Sequence, residues 1–422
     1  MRLPFFAVPV VWTAIFATLA FAQTPSAWEE PFSQQRWTEA EPLLQRALAQ
    51  SETAPALRAL AALYRATGRL ALADPVLERL VAREETVANL ETLARTKIAL
   101  AQLPRAEALY ERALELRLDA DNEPAASIPT RHQLAQVFMA DKKFTAATQQ
   151  ANIAIDLRTR AFGPNHPDLA SDYMLLGRIY QAQSEWDEAA AVWETVIRIQ
   201  AAAYTAEDLR IADSLDNLAQ CQVQSQRIGP AELSLRQALA IREYNLGPNH
   251  TDVAQTLDQI GKLLFGIKQY AGAEQAFRRT LEIYLAFLGP GNPLLARNYD
   301  NLAVTEAMLE KYLPASEHYA ESLKIRDSDD VLSLRNLALL LVAQDKQSTA
   351  EPLYRRALTV LDAAAPPDAP TLKLVLTEYA NLLRALNRPA DAARLETRLT
   401  SAKQPPSSVP QSKRAPIAAK QK

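Results

Sequence analysis

Leu176-Gly177-Arg178-Ile179-Tyr180 sets a glycine among large side chains, and twelve residues after it comes Ala189, within Trp186-Asp187-Glu188-Ala189-Ala190-Ala191-Val192-Trp193. The same pairing of a small residue with an alanine twelve positions on returns along the chain. It is found at Ala61/Ala73, Ala94/Ala106, Ala135/Ala147, Ala219/Ala231, Gly261/Ala273, Ala303/Ala315, Ala338/Ala350 and Ala380/Ala392. A large apolar residue precedes each small one (Leu60, Leu93, Leu134, Leu176, Leu218, Ile260, Leu302, Leu337, Tyr379). Another usually follows the alanine by four: Leu77, Tyr110, Trp193, Leu235, Phe277, Tyr319, Tyr354. Spacings of three and four keep residues on one helical face, so each unit reads as two helices joined by a short turn. Gly or Ala at both crossing positions lets the two backbones approach, and a larger side chain there costs ~1–3 kcal/mol in overpacking. One hairpin cannot bury its own apolar face, so successive hairpins must stack.

The second-helix alanines fall at 40, 73, 106, 147, 189, 231, 273, 315, 350 and 392, with spacings of 33, 33, 41, 42, 42, 42, 42, 35 and 42. With its large-small pair in the first helix and its Ala-aromatic-Ala run in the second, this pattern resembles the tetratricopeptide repeat. The longer units are similar to the 42-residue variety of kinesin light chains and many bacterial proteins. Two links carry that variety's Leu-Gly-Pro-x-His-Pro-Asp segment in close form: Phe162-Gly163-Pro164-Asn165-His166-Pro167-Asp168 and Leu246-Gly247-Pro248-Asn249-His250-Thr251-Asp252. The resemblance covers nearly all of residues 28–400. It implies an all-α, right-handed superhelical solenoid whose first helices line a concave groove.

Three segments follow. Residues 1–22 have Arg2, an apolar run from Phe5 to Phe21 and Ala20-Phe21-Ala22, the pattern of a secretory signal peptide cleaved after Ala22. The rival reading is an uncleaved anchor, since the run approaches the length of a membrane span. Residues 23–400 are the solenoid, about nine full units behind a partial first one built on Trp37, Ala40, Leu44 and Ala47. Residues 401–422, with four prolines, five basic residues and no aromatics, are a disordered tail. The expected location is therefore extracytoplasmic, periplasmic or secreted, with membrane contact only during export. Gly163 and Gly247 are expected to stop long helices and Asp168, Thr251 or Asp252 to cap the next. Pro42, Pro75 and Pro352 are placed near second-helix starts. The lone Cys221 reads as a small buried residue.

The chain carries a net charge of −3. Loss of Arg2 leaves −4 and the tail from Ala402 holds +5, so the repeats alone carry about −9. That balance speaks against nucleic-acid binding, which needs a basic face. No His-Glu-x-x-His, Gly-x-Ser-x-Gly, phosphate loop or Cys-x-x-Cys occurs. No enzyme activity, cofactor, metal or small-molecule substrate is expected. The informative polar residues precede the small residue of the first helices: Asp216-Asn217, Asp258-Gln259, Asp300-Asn301 and Arg335-Asn336. The resemblance implies a ladder of Asn217, Gln259, Asn301 and Asn336 in the groove. Such amides offer donor and acceptor to the backbone of an extended peptide. Asp216, Asp258 and Asp300 add a negative stripe answered partly by Lys262, Arg297 and Arg335. The expected partner is a protein or extended peptide. The alternative is a cell-envelope structural factor that contacts an anionic polymer or membrane complex through its basic tail.

Overall fold

The computed structural model describes residues 26–120, 124–326, 330–364 and 369–401. The leader and the tail, and so the cleavage and tail expectations, lie outside them. The described residues form twenty α-helices, one 3-10 turn and no strand. A short α1 (Glu29–Ser33) and α2 (Trp37–Gln50) come first among the described residues. Nine hairpins follow: α3 (Ala54–Ala66) with α4 (Leu70–Arg83), α5 (Val87–Ala99) with α6 (Leu103–Ala120), and α7 (Ile128–Ala140) with α8 (Phe144–Phe162). Next come α9 (Leu169–Gln183) with α10 (Trp186–Ala203), α11 (Leu209–Gln224) with α12 (Ile228–Leu246), and α13 (Thr251–Gly266) with α14 (Tyr270–Leu288). The last are α15 (Pro293–Met308) with α16 (Tyr312–Arg326), α17 (Val331–Ala343) with α18 (Gln347–Ala363), and α19 (Ala369–Ala385) with α20 (Pro389–Ser401). The chain divides into two compact units, residues 1–161 and 162–422, each a stack of such hairpins. No helix among the described residues is long and apolar enough to cross a membrane.

The small pairs do what their spacing requires. Every second-helix alanine is fully buried, and the first-helix alanines are at most 1% exposed. At the two glycines even a Cβ would meet the facing ring. A Cβ on Gly177 would lie 3.0 Å from Nε1 of Trp193, and one on Gly261 would lie 2.6 Å from the Phe277 ring. At these two crossings the Trp193 and Phe277 rings take the space that a Cβ would need. The first, partial unit closes differently. Trp28, Phe32 and Trp37 meet edge-on at 6.1 and 5.5 Å, an aromatic cover for the end of the stack.

Each hairpin turns in one way. Gln35, Gly68, Ala101, Lys142, Ser184, Gln226, Lys268, Glu310, Asp345 and Asn387, each five residues before a second-helix alanine, all have positive φ. The next residue's N–H then reaches back across the helix end, as in Gln269 to the Leu264 carbonyl at 2.8 Å and Arg388 to that of Leu383 at 2.8 Å. This is the six-to-one bond that ends a helix in the left-handed region. Only Gly68 adopts that backbone free of a Cβ penalty.

Gly163 and Gly247 have the expected positive φ, as does Gly289 after α14. The caps that follow differ from expectation. The acceptors are His166 Nδ1 for the Asp168 N–H (3.3 Å) and His250 Nδ1 for that of Asp252 (3.2 Å). Asp208 and Asn292, at the same 42-residue interval, cap Arg210 and Leu294 at 2.9 Å. One polar acceptor per link, of whatever type, satisfies a helix-start donor. Pro42, Pro75 and Pro352 each lie at the sixth residue of a second helix, a turn further in than the sequence suggested.

Candidate functional site

The polar residues singled out by the sequence lie two and three positions before the small residue, on the first helices of the second unit. Their first set of contacts is with the helix that follows. Arg242, eleven residues after Ala231, reaches back to Asp216 at 2.7 Å and to Asp213 at 2.7 Å. It also donates forward to Oγ1 of Thr256 on the next first helix, at 2.5 Å. The Arg242 side chain is only 8% exposed. Burial opposes its charge, but Asp216 and Asp213 outweigh it and hold it protonated above its usual range. At Asp216 burial wins instead and raises the carboxyl above the ordinary range against the pull of Arg242.

The same three-part staple recurs. Arg326, at the equivalent place in α16, joins Asp300 to Ser333, whose hydroxyl donates to Asp300 at 3.0 Å. Burial again raises the Asp300 carboxyl. In the first unit Arg117 meets Glu91 at 3.1 Å, and Thr130 donates to the same Glu91 oxygen at 2.7 Å. In each case an acid three before the small residue, an Arg on the second helix and a hydroxyl on the next first helix lock two repeats together. Asp216 and Asp300 therefore serve the joints between repeats. The sequence reading missed Arg242, Arg326 and Arg117, although their constant distance of eleven from the alanine was a usable signal.

The amides form a second set. Asn301 donates to Asp258 at 3.2 Å, from one first helix to its predecessor. Gln259 stands in the same relation to Asp216, where its amide favours the carboxylate. Arg335 continues the row by forking onto Glu378 of α19, through Nε at 2.8 Å and through Nη2. Asn336 donates to the Tyr319 hydroxyl at 3.1 Å and accepts from Arg335 at 3.3 Å. Asn217 turns onto its own helix, to the Asp213 carbonyl at 2.8 Å. The negative stripe is thus answered only in part by the expected cations, with Arg242 and Arg326 taking Asp216 and Asp300. Lys262 does bind Asp258 at 2.6 Å, with Arg297 further off at 3.9 Å, but Arg335 serves Glu378.

A cavity of about 220 Å³ opens between α11 and α13. Ala219, Val223, Leu235 and Leu263 make its apolar lining, and Gln220, Gln224, Gln259 and Lys262 supply its polar groups. Gln259 and Lys262 are the two predicted residues that the fold brings to one open site. Its chemistry is that of recognition: side-chain amides and one ammonium over an apolar floor.

The histidines and the cysteine have structural employment. His318 Nδ1 lies 2.7 Å from the fully buried Glu306, which also meets Arg278 at 3.0 Å. His132 pairs with Gln136 at 3.0 Å. Cys221 is buried and accepts from the Gln181 amide at 3.3 Å.

A profile of the tetratricopeptide repeat matches residues 126–199, 171–243 and 252–328. Among solved structures, kinesin-light-chain TPR-like repeats from Podosopora anserina are 19% identical, with 49% of this chain and 97% of that one covered and a TM-score of 0.44. BtubC from P. vanneervenii is 22% identical over 60% of this chain and 91% of its own, at 0.44. The C-terminal part of a TPR repeat-containing protein from Cytophaga hutchinsonii is 15% identical over 65% and 98%, at 0.47. A search of curated protein sequences gives no match.

Proposed function

Because this chain is a tetratricopeptide-repeat protein, we propose that it is an exported, non-catalytic scaffold that holds an extended segment of a protein partner along the first helices of its second unit. Repeats of this family are typically interaction modules, which supports the scaffold in general terms. The observation that carries the finer reading is the cavity between α11 and α13, where three glutamine amides surround an apolar floor. An extended peptide presents alternate side chains and unpaired backbone groups, and such a site meets both. Of the ladder only Gln259 lines that cavity; the amides of Asn301, Asn336 and Asn217, outside it, have capacity to spare. Each amide nitrogen carries two hydrogens, and the bonds to Asp258, Tyr319 and Asp213 occupy one apiece. Export rests on residues 1–22 alone, and N-terminal sequencing of the purified protein should begin at Gln23.

Triple replacement of Gln220, Gln224 and Gln259 by Ala tests the site. With each hydrogen bond contributing about 0.5–1.5 kcal/mol, affinity for a partner captured from envelope extract should fall at least tenfold. The urea melt should stay within about 1.5 kcal/mol of wild type, because Gln220 and Gln224 are exposed and Gln259 alone gives up a hydrogen bond, to Asp216. Undiminished affinity would move the binding surface elsewhere. Loss of binding on deleting residues 402–422 would favour the tail instead.

A further inference from the structure

We propose that a cavity between the second helices α10 and α12 is a separate docking site, which takes an arginine flanked by apolar side chains on a protein partner. The cavity holds about 550 Å³, and Ile197, Ile211, Leu215 and Ile241 give it an apolar lining. The link before α11 adds Ala206 and Glu207. That link is held in place. The Asn245 amide donates to the Glu207 carbonyl at 2.6 Å, and Arg210 is committed to Asp208 at 2.8 Å and to the Tyr204 ring at 3.4 Å. No lysine or arginine among the described residues lines the cavity. The Glu207 carboxylate is exposed and makes no hydrogen bond or ion pair among the described residues. Tyr244, also in the lining, is 78% exposed.

The repeats on either side show what is missing here. In each of them an arginine of the second helix crosses to the link before the first helix. Arg198 of α10 donates to the Asn165 side chain at 3.4 Å. Arg279 of α14 donates to the Pro248 carbonyl at 3.0 Å and meets Glu243 at 2.6 Å. At the 42-residue interval, α12 has Ala240 in the place of Arg198 and Gln237 in the place of Arg279. The counterpart of Asn165 is Glu207, and that of Pro248 is Ala206. The repeat between them thus keeps the accepting side of the bridge, with a carboxylate in place of an amide, but lacks the guanidinium. An arginine from outside restores it. The fork meets Glu207, the methylene stem lies on the isoleucines, and the Tyr244 ring offers a face to the guanidinium plane. Lysine brings a point charge without the fork. One arginine does not fill the cavity, so apolar neighbours in the partner find aliphatic surface beside it.

The inference shares the scaffold reading but not its site, which lies between α11 and α13. The test is fluorescence anisotropy on the purified protein, with labelled acetyl-Ala-Leu-Arg-Leu-Ala amide as the probe. The same peptide with citrulline, the neutral shape of arginine, or with lysine is the comparison. The arginine peptide should bind, more weakly as salt rises. The citrulline peptide should bind at least tenfold more weakly, and the lysine peptide should also bind more weakly. Glu207→Gln should weaken binding of the arginine peptide at least tenfold at an unchanged melting temperature, because that side chain is exposed and unbonded. Gln237→Arg rebuilds the bridge that Arg279 makes one repeat on, and should close the site to the peptide without lowering the melting temperature. The alanine triple at Gln220, Gln224 and Gln259 should leave this binding intact, which separates failure here from failure of the groove. Absence of binding at millimolar protein, equal binding of the citrulline or lysine peptide, or undiminished binding by either single variant would overturn the proposal.

Discussion

Two consecutive joints of the second unit use the same register for opposite chemistry. Between α12 and α13, Arg242 ties Asp216 to Thr256. One repeat later, between α14 and α15, the place of Arg242 is taken by Tyr284, which is 3% exposed, and that of Thr256 by Asn298. Both amide atoms of Asn298 are buried without a hydrogen-bond partner. The repeat therefore copies backbone packing faithfully and polar chemistry loosely. A stapled joint is not thereby the stronger one. A buried ion pair gains little over good apolar packing, but it fails badly when one partner is removed.

The largest expected effect follows from that asymmetry. Arg242→Ala leaves Asp216 buried beside an empty place and should destabilise by about 3 kcal/mol in a urea melt. Tyr284→Phe, at the equivalent position, removes only a hydroxyl and should change stability by less than about 0.5 kcal/mol. Equal effects would mean that the two joints do not differ as their contacts indicate.

A smaller test makes the same substitution at both joints. Thr256→Val keeps the shape and deletes the acceptor for Arg242, which should cost about 1.5 kcal/mol, in the range of hydrogen bonds to charged groups. Asn298→Val removes an amide that has no partner and should gain about 1 kcal/mol. Valine fits this register, since the fully buried Val375 occupies it in α19. Two losses of similar size would show that Asn298 is satisfied after all and that the comparison is false.

How these joints were legible in sequence is instructive. Helix identity and register followed from Gly177, Ala189 and their copies, because close crossing permits so few side chains. The turns were legible as positions but not as residues. Lys268 and Glu310 adopt positive φ, as Gly68 does, because the two packed helices impose the turn. Asp216 and Asp300 were read as groove charges because periodicity gives the face of one helix only. It does not say that the long side chains of Arg242 and Arg326 fold back over that face. For the amides the choice of partner turns on the neighbouring helix's side chain. Asn336 donates to the Tyr319 hydroxyl, whereas the place of that tyrosine before Asn301 is taken by Phe277, which has no hydroxyl, and Asn301 reaches Asp258.

The smallest expected effect is a slope with pH, present at the stapled joint and absent from its neighbour. Burial raises the folded-state carboxyl of Asp216 above the ordinary range, so the folded protein keeps that proton to higher pH than the unfolded chain does. The contribution of the group is then fully present below the unfolded value of about 3.9 and is lost as pH rises through the folded value. Asp216→Asn holds the neutral shape at every pH and leaves Arg242 its bonds to Asp213 and Thr256. Urea melts of the two proteins should therefore run closest near pH 4, and the variant should gain on wild type as pH rises toward 7. Asp300→Asn should behave alike, since burial raises that carboxyl too. Tyr284→Phe should show no such divergence across the same interval, because no carboxylate depends on that hydroxyl. A wild type that gains on Asp216→Asn with rising pH would show that Arg242 overcomes burial at this joint, and the staple would then be a net source of stability.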